Sequence, residues 1–193
     1  MYNAYKNFYA IILAAGESSR FGSPKQIADW KDSTLLQHTI SITKSLFEKN
    51  IIVILGANSE LIQPRLNESD ITIAVNNDWQ LGISSSIRAG IEALPEHTEA
   101  VMILLCDQPL LEASSLKKLV DLWQQRENSI VTSEYQNTLG VPAIFPASFF
   151  LQLKSLKGDK GAKELLMSMK EKVASIHIPE AAKDIDTKND LMF

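Results

Sequence analysis

Five short apolar runs constrain this chain most: Phe8 to Leu13, Ile51 to Leu55, Ile71 to Val75, Val101 to Leu105 and Ser129 to Thr132. Each is four to six residues long, and most are rich in β-branched residues. A run that stays apolar instead of alternating describes a strand buried on both faces. Such strands separated by segments of helical period describe an α/β fold with a parallel sheet. The expectation is a three-layer, Rossmann-like, mostly parallel sheet with helices on both faces.

The intervening segments carry their own start signals. Ser33 or Thr34 can cap a first helix that presents Leu35, Leu36, Ile40, Thr43, Leu46 and Phe47 on one face. A second helix follows Gly82 with Ile83, Ile87, Ile91 and Leu94 at helical spacing, and a third follows Ser114 with Leu116, Leu119, Val120 and Trp123. After Thr132 the pattern changes to Tyr135, a polar turn at Gln136 to Thr138, and Val141 to Phe145, which predicts a ribbon or edge strand as a small antiparallel element. Pro146 can open a short helix through Phe149, Phe150 and Leu153; Ala162 to Met169 gives another, and Val173 to Ile178 a late strand. With no linker or repeat in 193 residues, residues 1–193 read as a single domain.

Composition narrows the function classes. Apolar residues at 45% and charged residues at 22% are ordinary for a globular chain, and no apolar stretch nears the roughly 20 residues that span a bilayer. A net charge of -4 argues against a general nucleic-acid binder. The single cysteine, Cys106, precludes an intramolecular disulfide and a multi-cysteine zinc site. The segment Met1 to Lys6 lacks the apolar stretch of a signal peptide, so the expected location is the cytoplasm, with no membrane and no nucleic-acid partner.

The first strand runs directly into Leu13-Ala14-Ala15-Gly16-Glu17-Ser18-Ser19-Arg20-Phe21-Gly22-Ser23-Pro24-Lys25-Gln26. Ala14, Ala15 and Gly16 let a ligand approach the backbone, and Arg20 and Lys25 add fixed positive charge, so the segment reads as a triphosphate cradle. It has neither the Gly-Lys-Ser/Thr ending of a P-loop nor a G-x-G-x-x-G. In isolation it is equally a glycine turn with solvated charges. Its place at a carboxyl strand end, where open α/β sheets bind ligands, favours the cradle.

Asp107 follows the Val101 to Leu105 strand and so ends beside that loop, a suitable place for a Mg²⁺ ligand, although Asp before a turn is also common. Asp184 and Asp186 share one side of an extended segment, and one of them can complete the metal site; Asp186 or Thr187 can equally cap a terminal helix with Asp190 in its first turn. In Asn76 to Ser86, free amides, hydroxyls and Gln80 can read a base edge, or the segment is a serine-rich helix start with Trp79 as an apolar plug. Gly158-Asp159-Lys160-Gly161-Ala162 can hold an anion on successive amides, or form a surface turn. His38, His97 and His177 show no ligand spacing, and Cys106 reads as packing.

Taken in order, these elements resemble the molybdenum cofactor cytidylyltransferase group of the molybdopterin nucleotidyltransferases. The likeness runs through the Leu13 to Gln26 loop, Trp79-x-x-Gly82 with Ser84-Ser85-Ser86, Cys106-Asp107-Gln108-Pro109, Gly140 to Phe145, Gly158 to Ala162 and Asp184-Ile185-Asp186-Thr187. It departs from the family pattern at Val141, where relatives often carry His. The resemblance implies a nucleotide-diphospho-sugar transferase-like fold and a catalytic set of Arg20, Lys25 and Asp107. It implies nucleotide contacts at Leu13, Ala14, Ala15, Gly16, Arg20, Lys25, Gln80, Gly82 and Ser84, and acceptor contacts at Gly140, Pro142, Gly158, Asp159 and Gly161. Asp107 and Asp186 would hold Mg²⁺. The implied reaction transfers CMP from CTP to a phosphate-bearing acceptor such as molybdopterin, for delivery to a client molybdoenzyme. Guanylyl transfer, transfer to a sugar or alcohol phosphate, and a non-catalytic delivery module are the alternatives.

Overall fold

The computed structural model describes residues 7–66, 69–126 and 128–192; Met1 to Lys6 lie outside them. In chain order the elements are β1 (Phe8–Ala14), β2 (Asp29–Trp30), β3 (Ser33–Thr34), α1 (Leu35–Phe47), β4 (Ile51–Leu55), α2 (Ser59–Ile62), β5 (Thr72–Val75) and α3 (Ile83–Glu92). They continue as β6 (Ala100–Leu105), α4 (Ala113–Gln125), β7 (Ile130–Tyr135), β8 (Thr138–Pro146), α5 (Phe150–Ser155), α6 (Ala162–Ser168) and β9 (Val173–His177).

Seven strands form one sheet in the order β5-β4-β1-β6-β8-β7-β9, and β2 pairs with β3 in a two-stranded ribbon. The sheet is parallel except at β8, which runs antiparallel to both β6 and β7. Strand periodicity splits β1 between two cores. Phe8, Ala10, Ile12 and Ala14 face α1 and α4 with Leu36, Ile40, Leu116 and Leu119, while Ile11 and Leu13 face α3, α5 and α6 with Ile87, Leu153 and Leu166. The three-layer architecture follows from that split.

Thr34 caps α1 with its hydroxyl, and Gln37 returns the bond to the Thr34 backbone, a capping box. The expected antiparallel ribbon is present, since a tight turn at Gln136 and Asn137 pairs β7 with β8, but the edge-strand alternative is corrected: β8 lies inside the sheet between β6 and β7. Pro142 is tolerated there because the register of β7 and β8 shifts beside it, between Thr132 and Ser133. Pro146 closes β8 and is the N-cap of a 3-10 helix, Ala147–Phe149, that leads directly into α5, so the short helix expected through Phe149, Phe150 and Leu153 is present. Among the described residues no helix is long and apolar enough to cross a membrane.

The chain moves from β1 to β4 and β5 on one side, then crosses to β6 on the other. The carboxyl ends of β1 and β6 therefore flank the point where strand order reverses, the crevice where open α/β sheets bind ligands.

Candidate active site

The Leu13 to Gln26 loop is shaped from within by Gln26. Its side chain, 1% exposed, donates to the carbonyls of Ala14 at 2.9 Å and Gly16 at 2.8 Å, and accepts from the Ser18 hydroxyl at 3.3 Å. Ser18 in turn accepts the Lys25 backbone N–H at 3.2 Å. Phe21 anchors the loop from below by packing with Trp30, Leu35 and Ile185. The backbone at Gly16 is left exposed, with open space where a Cβ would project.

A C-terminal strap, residues 181–186, crosses the end of β6. The Ile185 N–H donates to the Asp107 carbonyl at 2.9 Å, and Gln108, 2% exposed, donates to the Ala181 carbonyl at 2.7 Å and the Val141 carbonyl at 3.4 Å. Thr187 and Asp190 form a capping box beyond the strap, and Asp190 accepts the Asp186 N–H at 3.2 Å. Those Thr187 contacts, side chain first and backbone second, hold the Asp190 carboxyl down at about 2.

Loop and strap meet at Lys25. Its ammonium donates to Asp107 Oδ2 at 2.7 Å, to the Ile185 carbonyl at 2.7 Å and to Asp186 Oδ1 at 3.5 Å. Burial pushes the Lys25 pKa down, but the charge and hydrogen bond of Asp107 outweigh it, so the net displacement is upward and the amine stays protonated. Arg20 adds an outer ion pair to Asp186 at 3.0 Å and remains 72% exposed, free to turn toward an incoming anion.

These groups line a cavity of about 390 Å³ together with Leu13, Ala14, Ala15, Gly16, Gln80 and Gly82. Asp159 also reaches it. Neighbouring it is a cavity of about 370 Å³ that takes Gly140, Gly161 and Asp184. Ser84, Gly158 and Pro142 line neither. Ser84 is buried and its N–H donates to the Gly158 carbonyl at 3.2 Å; Pro142 is buried in β8 after a cis Val141–Pro142 bond. Gly82, at φ +90°, is the surface on which the Gly158 turn rests, since a Cβ there would come within 2.5 Å of the Gly158 backbone and the Asp159 carboxylate. Gly140 provides room for the Tyr135 ring, whose hydroxyl lies where a Cβ would project.

Asn76 does not present a free amide to a base. It is buried and donates to the hydroxyls of Ser85 at 2.8 Å and Ser86 at 3.0 Å, fixing the start of α3. Trp79 and Gln80 do line the larger cavity. None of the three histidines lines either cavity. Burial, and secondarily the Asp107 charge, pushes the Cys106 thiol up to about 12, which leaves it a protonated core group.

The two carboxylates suit a hard divalent cation. Asp107 Oδ1 is buried with no hydrogen-bond partner, and Oδ2 and Asp186 already gather around a cation, the Lys25 ammonium. Among the described residues no group of three His, Cys, Asp or Glu forms a self-sufficient metal cage. That composition fits Mg²⁺, which takes one or two carboxylates and completes its shell with water and phosphate oxygens.

The profile of the MobA-like NTP transferase domain matches residues 10–173. The chain belongs to the MobA-like NTP transferase domain family. Within the wider set of similar proteins, the bifunctional protein GlmU of Francisella tularensis subsp. novicida is 29% identical over 163 residues, 83% of this chain and 35% of that protein. The chain thus spans about a third of the length of that relative. The crystal structure of the Rv0371c homologue from Mycobacterium sp. strain JC1 superposes with a TM-score of 0.84 at 30% identity, covering 96% of this chain and 93% of that one. Rv0371c of Mycobacterium tuberculosis, solved in complex with manganese, superposes with a TM-score of 0.79 at 22% identity over 96% of each chain.

Sequence reasoning missed Gln26 as the loop's internal brace, Gln108 as the strap's anchor, and the Phe21, Trp30 and Ile185 cluster that joins loop to strap. Their only signal was apolar or amide side chains inside otherwise polar loops.

Proposed function

We propose that this MobA-like domain transfers CMP from CTP to a phosphate-bearing acceptor, molybdopterin or its metallated form, with release of pyrophosphate. The observation that carries the reading is the convergence of Lys25, Asp107 and Asp186 beside the open Ala14, Ala15 and Gly16 backbone.

An oxygen of the acceptor phosphate attacks the α-phosphorus of CTP in line, a new P–O bond forms, and the bond to pyrophosphate breaks. A phosphate monoester carries roughly 1.5 to 2 negative charges at neutral pH, so the nucleophile needs no general base. That accounts for a site without a histidine. Gly16 and its alanine neighbours let the triphosphate approach the backbone, Lys25 places a fixed positive charge against it, and Arg20 can turn from Asp186 to the outer phosphates. Mg²⁺ held by Asp107 and Asp186 would neutralise charge that develops on the phosphate oxygens. Alignment and charge stabilisation are the whole of the chemistry asked of the protein.

Manganese in a structure of the same fold supports a divalent-cation site, and the resemblance of the chain's motifs to the cytidylyltransferase group supports CTP. A matrix of the four ribonucleotides against molybdopterin, a sugar phosphate and an alcohol phosphate, scored by pyrophosphate release, tests the reading. Release with CTP and molybdopterin is expected. Release with GTP, or with a sugar or alcohol phosphate instead, would assign the domain to that chemistry, and nucleotide binding without release would make it a delivery module.

A further inference from the structure

The hydrogen-bonding capacity of the Lys25 ammonium is fully used inside the protein. Its bonds go to Asp107 Oδ2 at 2.7 Å, the Ile185 carbonyl at 2.7 Å and Asp186 Oδ1 at 3.5 Å. An ammonium has three donors, so a phosphate oxygen can be bonded only if one of these contacts is given up. The carboxylates are matched in the same way. Asp107 Oδ1 is buried, so Oδ2 is the oxygen presented to the cavity, and Lys25 holds it. Asp186 gives Oδ1 to Lys25 and Oδ2 to Arg20, the latter at 3.0 Å. Two cations and two carboxylates close on one another.

Opening that closure from one side alone is unfavourable. A divalent cation that takes Asp107 and Asp186 displaces the Lys25 ammonium, only 14% exposed, and sets like charges beside each other with no counterion for the lysine. A triphosphate that draws Lys25 and Arg20 away strands both carboxylates. The same cavity is lined by Glu17 and Asp159 as well, so four carboxylates stand against two cations and repel a polyanion that arrives by itself. When both ligands arrive, the ammonium passes to the phosphates and the carboxylates to the cation, and every charge has a partner.

We propose that Lys25 is a resident counterion of the cation site. It competes with the divalent cation for Asp107 and Asp186, and the nucleotide relieves that competition by drawing the ammonium onto its phosphates. This rests on the nucleotidyl-transfer reading above. By linkage the coupling is equal in both directions: nucleotide raises affinity for the cation by the factor by which the cation raises affinity for nucleotide. The site therefore binds the two as a pair and either one alone weakly.

Competition has a signature that a merely structural ion pair lacks. Removing either member should improve binding of the other member's ligand. Lys25→Met should bind Mn²⁺ alone at least tenfold more tightly than the parent, although it loses a phosphate contact. Asp107→Asn should bind α,β-methylene-CTP in EDTA at least tenfold more tightly than the parent, although it loses a cation ligand.

The test uses the full chain, with Mn²⁺ followed by the electron paramagnetic resonance of the free ion and α,β-methylene-CTP followed by calorimetry in EDTA. Lys117→Met, which removes the same charge from an exposed ion pair with Asp121 on α4, is the control and should change neither affinity. Each arm decides by itself, so a variant that fails to fold leaves the other to give the answer. Mn²⁺ binding no tighter in Lys25→Met, analogue binding no tighter in Asp107→Asn, or an equal gain of Mn²⁺ affinity in Lys117→Met would overturn the inference. Failure of the parent to bind the analogue and Mn²⁺ together would instead overturn the transfer reading on which it rests.

Discussion

The ammonium of Lys25 lies 2.7 Å from Oδ2 of Asp107, with both side chains largely shielded from water at 14% and 17% exposure. Lys25→Met should therefore do two things. Turnover should fall about a hundredfold or more, the usual loss when one preorganised charge at a transferring group is removed. Stability should also fall, by about 1–3 kcal/mol, because the Asp107 carboxylate loses its counterion in a partly dry site. Adding Asp107→Asn to Lys25→Met should recover part of that stability and none of the activity. Urea melts and pyrophosphate release on the four proteins of this cycle measure both effects.

Gln26 holds the loop through the Ala14 and Gly16 carbonyls. In Gln26→Ala those carbonyls lose a buried donor, at about 1–3 kcal/mol. The loop should then sample conformations other than the cradle, raising KM for the nucleotide more than it lowers kcat. Steady-state kinetics at varied nucleotide concentration, with a thermal melt alongside, separates this from global unfolding.

Two glycines should respond differently to the same substitution. Gly82→Ala forces a Cβ to within 2.5 Å of the Gly158 backbone at φ +90°, so the variant should melt lower and displace the Gly158 turn. Gly16→Ala meets open space in the protein and should leave the melting temperature unchanged, while nucleotide affinity falls because the ligand needs that space. Unchanged nucleotide affinity in Gly16→Ala would contradict close approach of a phosphate at this backbone.

Burial, then the like charges of Asp107 and Asp186, pushes the Asp184 carboxyl up to about 6, well above its ordinary value. A carboxyl whose folded pKa is raised binds more protons folded than unfolded, so its contribution to stability falls as pH rises from about 4 to about 6 and is level above that. Asp184→Asn should be more stable than the parent at pH 7, with the gap closing on acidification and gone below about pH 4. Melting temperatures across that range check the sign.

With its thiol pushed up to about 12 by burial, Cys106 should react with an aromatic disulfide reagent only as fast as the protein opens. Labelling rates that rise in proportion to denaturant-induced opening, and stay negligible in native buffer, are the expected outcome.

The alternation of apolar runs and helical segments was sufficient to read the layers, because burial on both faces leaves a periodicity that survives in one dimension. The sequence singles out Lys25, Asp107 and Asp186 as charged groups in loops, and the structure brings the three together, Asp107 just past β6 and the other two on the loop and the strap. What stayed hidden was set by long-range contact. Nothing in the local sequence shows that β8 enters the sheet between β6 and β7, a choice made by pairing across residues far apart in the chain. Likewise Asn76 reads as a free amide until Ser85 and Ser86 fold against it, and Gln108 as a loop residue until the strap arrives from Ala181.

The most direct test of nucleotidyl transfer follows the label in CTP. With α-³²P-CTP, Mg²⁺ and molybdopterin, label should pass to the acceptor as CMP with one pyrophosphate released per transfer, and Lys25→Met should abolish the passage. Label retained in CDP or CMP with free phosphate as the product, or CTP bound and unchanged in the presence of the acceptor, would contradict it.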